Sequence, residues 1–127
     1  MSLILLILGV ATGGAIGTFI RFFISSIVKK VHFKYAHIGT LIVNISGCYF
    51  IGFFAIFFTF YLNTFWKDLV ITGILGGLTT FSSFTLDFYK LHSENRYLHI
   101  LQYFIITLIG GAAALLLGIA TAHVFHL

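Results

Sequence analysis

The stretch G-I-L-G-G-L-T-T-F-S-S-F, residues 73–84, lies inside an apolar segment long enough to cross a membrane, yet it suits a continuous membrane helix poorly. It combines three glycines, four hydroxyl side chains and two phenylalanines: Gly73, Gly76, Gly77, Thr79, Thr80, Ser82, Ser83, Phe81 and Phe84. In hydrocarbon, irregular backbone survives only within protein or beside a water-filled path. The stretch therefore predicts an interrupted helix that lines or supports an ion pathway, as interrupted helices do in many transport proteins. The alternative is that the glycines and hydroxyls only allow close helix packing.

The composition of the whole chain is that of an integral membrane protein. Of its 127 residues, 60% are apolar and only 8% are charged, and the mean hydropathy is +1.11. A soluble domain carries about 25% charged residues. Proline is absent, and the single Cys48 allows no disulfide within one chain. The formal charge of +4 lies in short loops, where it suits an anionic membrane surface better than nucleic acid, so no nucleic-acid partner is expected.

Four segments reach the roughly 20 apolar residues that a membrane-spanning helix needs. They are residues 3–28, 37–62, 67–89 and 98–124. The connections are short, so we expect a single all-α domain of four transmembrane helices, residues 1–127, with both termini on one side. The first segment lacks a preceding basic region and a clear cleavage site, so we interpret it as a mature span and not as a signal peptide.

Two polar side chains within the spans have both a structural and a functional interpretation. Arg21 lies about two turns before the lysines of the first loop, where it either snorkels to the surface or provides a fixed positive charge at a water-filled mouth or a subunit contact. Asn44 must find hydrogen-bond partners inside an apolar helix. It either makes an interhelical hydrogen bond or acts as a hydrogen-bond donor to a passing anion. In the first span, Gly13 and Gly17 form a surface for close helix packing.

The sequence lacks the residues of an enzyme or of a cation exporter. Its three carboxylates, Asp68, Asp87 and Glu94, form no hydrolytic or redox constellation, and no phosphate loop is present. A proton-coupled multidrug exporter of four spans has a similar length but needs a carboxylate buried in a span. The first two spans have none, and Asp87 lies late in the third. His123 and His126 have no acidic or cysteine partner nearby, so a metal site is not expected there.

Three groups of residues occur in order along the four spans. They are Gly13-Gly14 with Gly17 and Arg21, then Gly39-Thr40-Leu41 with Val43-Asn44 and Gly47, then Gly76-Gly77-Leu78-Thr79-Thr80-Phe81-Ser82-Ser83-Phe84. Together with the length and the number of spans, these motifs resemble the Fluc/CrcB fluoride channels. The resemblance covers essentially the whole chain.

The resemblance implies passive export of fluoride from the cytoplasm through the cell membrane, which protects against fluoride toxicity. It implies a dual-topology dimer of antiparallel subunits with two pores. Its implied pore-lining residues are Phe81, Phe84, Asn44, Thr80, Ser83, Tyr103 and Thr107. It also implies that Arg21 lies at the vestibule and that the backbone carbonyls of Gly76 and Thr79 hold a structural Na⁺. The edge of an aromatic ring is its positive part, which agrees with phenylalanines facing an anion.

Four positions depart from the pattern of this family. Asp87 stands where glutamate is more usual, and Tyr49 stands where phenylalanine is. Gly111 and Leu115 fall one and two turns beyond Thr107, so the polar track on the last helix is expected to be thinner in this chain.

The loop charges predict a preferred orientation in the membrane. The first and third loops share one face, and the second loop shares the other face with both termini. The first face carries Lys29, Lys30, Lys34, Lys90 and Arg96, and the second carries Lys67. Because short loops rich in lysine and arginine stay in the cytoplasm, we expect the first and third loops there and both termini outside.

An antiparallel dimer of so biased a chain needs a partner of opposite orientation. We expect a second, related chain with the reverse bias, and the alternative is a minority of this chain inserted the other way. Two further alternatives for function are a non-conducting subunit of a heterodimeric fluoride channel and a small four-helix multidrug exporter.

Overall fold

The computed structural model describes residues 3–31, 37–60 and 64–125, and all regular structure in these ranges is helical. Three helices are long and continuous: α1 (Leu3–Val31), α2 (His37–Phe60) and α6 (Tyr97–Phe125). The third span is divided into α3 (Thr64–Lys67), a π-helical segment (Asp68–Leu75), α4 (Gly76–Leu78) and α5 (Phe81–Ser93). Four stretches, Leu3–Val31, His37–Thr59, Thr64–Ser93 and Tyr97–Phe125, are long and apolar enough to cross a membrane.

Three of the four helical stretches extend a few residues beyond the segments expected from hydropathy. The C-terminal extensions of the first and third stretches carry charged residues: Lys29 and Lys30 occupy the last turn of α1, and Lys90 lies near the end of α5. A cation in the last turn of a helix is stabilised by the negative end of the helix dipole, so the helices continue where hydropathy falls. Residues 61 and 62, which complete the second predicted segment, lie outside the described residues.

The sequence predicts that the third helix is interrupted at Gly76–Thr79, and the structure places the break at the end of that stretch, at Thr79 and Thr80. Gly76 and Gly77 remain helical in α4, and the helix ends where Thr79 turns to extended backbone with ψ of 148°. Thr80 is also extended, with φ of −150° and ψ of 126°, and α5 begins at the next residue. Neither φ is positive, so the break itself needs no glycine. The preceding π-helical segment, with its wider turns, is a rare feature that often occurs at functional sites.

Glycines let the helices approach each other as two pairs, α1 against the first half of the third span and α2 against α6. A Cβ atom on Gly17 of α1 would collide with the carbonyl oxygen of Ile74. A Cβ atom on Gly118 of α6 would collide with the carbonyl oxygen of Tyr49. Both contacts are with backbone, which cannot move aside as a flexible side chain can. The small-residue surfaces expected from the sequence are therefore helix contacts.

The buried apolar core is small and lies where α2 meets the third span. Val43 is fully buried, and Leu75 and Leu78 are 4% and 7% exposed. Most large apolar side chains instead face outward, including Phe19 on α1 and Leu108 on α6. In a membrane these side chains contact lipid or a partner, so burial within one chain is not what holds the spans in hydrocarbon.

Candidate ion pathway

An open groove of about 580 Å³ runs along the surface formed by α2, α5 and α6, beside the break in the third span. Six of the residues singled out in the sequence line it: Asn44, Thr79, Thr80, Phe81, Phe84 and Thr107. No charged side chain of the described residues lines this groove. The tertiary structure thus brings together residues that are up to 63 positions apart on an uncharged wall.

The amide of Asn44 pairs with both backbone groups of Thr80. The Thr80 N–H donates to Asn44 Oδ1 at 2.8 Å, and Asn44 Nδ2 donates to the Thr80 carbonyl at 3.0 Å. These are backbone groups that a continuous helix would have satisfied and that a break leaves unpaired. The interhelical hydrogen bond considered from the sequence is therefore present, and it links the break in the third span to α2. The second Nδ2 hydrogen makes no hydrogen bond with another described residue.

Hydroxyl groups cap the N-terminus of α5 at the groove. The Thr80 hydroxyl accepts a hydrogen bond from the Ser83 N–H at 3.2 Å and lies 3.1 Å from the Ser82 hydroxyl. Ser83 is absent from the groove wall, and its hydroxyl lies 3.4 Å from that of Thr80. Because the N-terminus of a helix carries a partial positive charge, the 13-residue α5 presents that charge at the groove.

The break removes the usual helical donors from the backbone carbonyls that precede it, among them those of Gly76 and Thr79. In a helix the Gly76 carbonyl would accept from the Thr80 N–H, and the Thr79 carbonyl would accept from the Ser83 N–H. Here those two N–H groups bond instead to Asn44 Oδ1 and to the Thr80 hydroxyl. Gly76 is also exposed on the chain surface. Hard cations prefer oxygen ligands such as backbone carbonyls, so this donor set fits a small hard cation such as Na⁺.

The two phenylalanines of the break have different surroundings. Their ring centroids are 5.8 Å apart, as expected for side chains on nearly the same helix face. Phe84 packs against Phe88 and Tyr103, with centroid distances of 4.7 and 5.2 Å. Phe81 is 79% exposed at the groove and projects away from the chain. Phe84 is thus fixed within the subunit, whereas Phe81 is positioned by its helix alone.

On α6, polar side chains continue from Thr107 toward the N-terminus of the helix but not toward its C-terminus. The Thr107 hydroxyl donates to the Tyr103 carbonyl at 2.7 Å, and Tyr103 lies one turn beyond the groove. In the opposite direction Gly111 and Leu115 line the groove. The wall is therefore apolar there, in keeping with the thin polar track expected from the sequence. Tyr49, another departure, bonds across the helix pair through its hydroxyl, 3.2 Å from that of Thr121.

The structure does not bring every candidate residue to the groove. Arg21 is half-buried on α1, away from the groove wall, and it makes no ion pair or hydrogen bond with another described residue. His126, considered as a metal ligand with His123, lies outside the described residues.

Sequence reasoning assigned Tyr103 to the pore wall, but the structure places it off the groove wall, in a buried polar cluster that the sequence did not predict. Asp87, Thr40 and Tyr103 are 8%, 6% and 3% exposed, and the Tyr103 hydroxyl donates to Asp87 Oδ2 at 3.3 Å. The signal that could have found it is Asp87 itself, since a carboxylate inside a span requires a partner.

Comparisons with known proteins identify the family. A family model described as CrcB-like protein, Camphor Resistance (CrcB), matches residues 8–119. A fluoride-specific ion channel FluC from Azobacteroides pseudotrichonymphae genomovar. CFP2 is 36% identical over 121 residues, which cover 91% of this chain and 94% of that protein. One from Aquifex aeolicus (strain VF5) is 43% identical over 100 residues, covering 76% and 80%. The fluoride-specific ion channel FluC 2 of Yersinia pseudotuberculosis serotype I (strain IP32953) is 37% identical over 121 residues, covering 92% and 96%. The chain therefore belongs to the CrcB-like family, a family of ion channels and not of enzymes.

Proposed function

We propose that this chain is a subunit of a fluoride-selective channel that exports fluoride passively from the cytoplasm and so protects the cell against fluoride. The observation that carries this proposal is the groove itself. It combines a broken helix, an amide with an unused N–H and two phenylalanines, without a carboxylate in its wall. The name shared by the related proteins agrees with this chemistry.

The groove offers weak positive groups in place of a fixed positive charge. The free Asn44 N–H, the N-terminus of α5 and the ring edges of Phe81 and Phe84 all favour an anion. Thr107 contributes differently, because its only hydroxyl proton is given to the Tyr103 carbonyl. Several weak donors suit conduction, since an ion must enter a site and also leave it.

The carbonyls of Gly76 and Thr79 are the proposed ligands of a structural Na⁺. Their usual donors are used elsewhere, as described above, and a two-fold axis near the exposed Gly76 would add the same two oxygens from a partner. The ion would neutralise bare carbonyls at the break, where no water is available to pair them.

In this proposal, a second subunit supplies the missing side of the groove wall. Phe81, at 79% exposed, projects beyond its own chain, and the groove is open on that side. An antiparallel partner would cover the groove and present its own phenylalanines to it. The bias of the loop charges favours a related chain with the opposite bias as that partner.

A fluoride-electrode assay of purified protein in lipid vesicles tests the proposed function. Phe81→Ile removes an exposed ring that makes few contacts in its own chain, so we expect normal assembly and fluoride efflux reduced by about tenfold or more. Phe84→Ile should also reduce efflux, with some loss of stability because Phe84 packs against Phe88 and Tyr103.

Phe19→Ile is the matched control, because Phe19 is 69% exposed on the outer face of α1 and lies away from the groove. It should conduct like the unmodified chain. Normal efflux through both Phe81→Ile and Phe84→Ile would mean that the two rings only pack. Absence of efflux from the unmodified chain, restored by co-expression of a second related chain, would identify it as a subunit that needs a partner to conduct.

A further inference from the structure

A histidine packs against the polar cluster beside the groove, on the side away from the groove. His37 is the first residue of α2, and its ring meets that of Tyr103 edge-on, with centroids 5.3 Å apart and planes at 70°. Tyr103 in turn donates to Asp87 on α5, and the Thr40 side chain also contacts the Tyr103 hydroxyl. Four residues from three helices therefore form one cluster, of which only His37 is not fully buried.

The cluster lies between the groove and one end of the molecule. Thr107 and Phe84 line the groove, and Tyr103 and Asp87 follow them by one turn on α6 and α5. His37 begins α2, and the turn that joins α5 to α6 lies at the same end of the molecule. The buried carboxylate of Asp87 therefore lies between the groove and this end of the molecule.

The charged groups that act on His37 sum to one negative charge when His37 is neutral. The charged groups that act on His37 are Asp87 on α5, and Glu94 and Arg96 in the turn; the titratable groups that face it from α6 are His99 and Tyr103. Arg96 is paired with Glu94 at 3.3 Å, so these two largely offset each other and the Asp87 carboxylate remains. A negative mouth opposes the passage of an anion, and the repulsion is large where water is scarce.

We propose that the protonation state of His37, which changes with pH, controls the rate at which fluoride passes through this mouth of the groove. Its protonated ring offsets the Asp87 carboxylate and lets the anion pass, whereas its neutral ring leaves the mouth negative and slows the anion. Imidazole is the side chain whose charge ordinarily changes between pH 5 and 8. This inference rests on the proposed function, because it concerns fluoride passing through the same groove.

The test measures fluoride efflux from vesicles with equal pH on both sides, at pH 6 and at pH 8. Protein-free vesicles measure the leak of HF, which also increases at lower pH, and this leak is subtracted. We expect efflux to be about three- to tenfold faster at pH 6, the effect of one unit charge acting across several ångströms in a partly aqueous mouth. His37→Gln should conduct at the slow rate at both pH values, and His37→Lys at the fast rate at both.

Two matched substitutions separate His37 from the other histidines. His99→Gln removes a second titratable ring near the cluster, and His123→Gln removes an exposed one at the end of α6. Both should keep the pH response of the unmodified chain. If His37→Gln does not assemble, His37→Lys and the unmodified chain still provide the comparison.

Three results would overturn the inference. They are equal efflux at pH 6 and pH 8 in the unmodified chain, a pH response that persists in the His37 variants, and a response that disappears in His99→Gln. Efflux that is present but independent of pH leaves the proposed function standing, whereas no efflux at any pH, with or without a related chain, removes both.

Discussion

Asn44 has a structural role in the fold, and we propose a second role for it as a hydrogen-bond donor to the anion. Its oxygen and one of its amide hydrogens are engaged by the backbone of Thr80, on the far side of the helix break. An interhelical hydrogen bond in a membrane contributes only about 0.6 kcal/mol on average. Here the alternative is two unpaired backbone groups, each of which costs roughly 1–3 kcal/mol when buried. The residue is therefore expected to matter for assembly as well as for conduction.

This geometry changes what Asn44→Asp is expected to do. From the sequence alone, the carboxylate is expected to impair flux by charge repulsion without unfolding the protein. An aspartate can still accept from the Thr80 N–H, but it has no proton for the Thr80 carbonyl. We now expect fluoride efflux to be lost and the free energy of unfolding to fall by about 1–3 kcal/mol.

Efflux from vesicles and thermal unfolding in detergent would measure the two effects of Asn44→Asp separately. Thr107→Ser is a suitable control in the same groove, since it keeps the hydroxyl that bonds to the Tyr103 carbonyl. Normal flux through Asn44→Asp at neutral pH would show that the amide only packs.

At the scale of elements, the third span is stabilised by its neighbours on two sides. The π-helical segment and α4 lie against the glycines of α1, and the break is held by Asn44 of α2. The close approach of the third span to α1 requires the absence of a Cβ atom at particular glycines of α1, and not at every glycine of that helix.

Gly17→Ala and Gly14→Ala provide a matched pair for this helix contact. A Cβ atom on Gly17 would collide with the Ile74 carbonyl oxygen, whereas one on Gly14 would lie 3.9 Å from the Gly73 carbonyl oxygen, an ordinary contact. We expect Gly17→Ala to lower the unfolding temperature or prevent assembly, with a cost of about 1–3 kcal/mol for overpacking. Gly14→Ala should behave like the unmodified chain. Equal behaviour of the two variants in a thermal unfolding assay would contradict the packing described for α1.

The break in the third span leads to a prediction about cations. If Na⁺ holds the carbonyls of Gly76 and Thr79, purification with a large organic cation in place of Na⁺ should reduce fluoride efflux or dissociate the dimer. Adding Na⁺ back should restore both, and size-exclusion chromatography with light scattering would report the dimer. Full activity and an intact dimer without any small cation would remove this site.

At the scale of the whole molecule, the exposed apolar surface and the open groove point to lipid and a second subunit as the missing neighbours. The sequence adds a bias in the charges of the loops, five against one, although Lys34 lies outside the described residues. A subunit that inserted equally in both directions should show little bias. The chain is therefore expected to adopt one main orientation and to need a partner that adopts the other.

Labelling with a membrane-impermeant thiol reagent in intact cells tests the orientation. In a Cys48→Ala background, Ser2→Cys should be labelled from outside, and Lys34→Cys should react only after the cells are opened. Co-purification of a second, related chain would then identify the opposite subunit. Equal labelling of both positions in intact cells would show dual insertion and a homodimer that is sufficient by itself.

What the sequence determined by itself is the membrane class, the four helical stretches and the neighbourhood of the break. These properties are local, because the length and hydropathy of a segment decide whether it can cross a membrane. Clustered glycines also weaken a helix wherever they lie. The motifs also identified the family, and five of their residues line one groove together with Thr107.

Only the tertiary structure decided which groups meet. The pairing of Asn44 with Thr80, and the cluster of His37, Asp87 and Tyr103, depend on how each helix is rotated about its axis against its neighbours. That rotation is set by backbone contacts such as Gly17 against Ile74, which join residues far apart in the chain. A pattern within one span carries no information about them, because in hydrocarbon the polar partners of a helix are supplied by other helices.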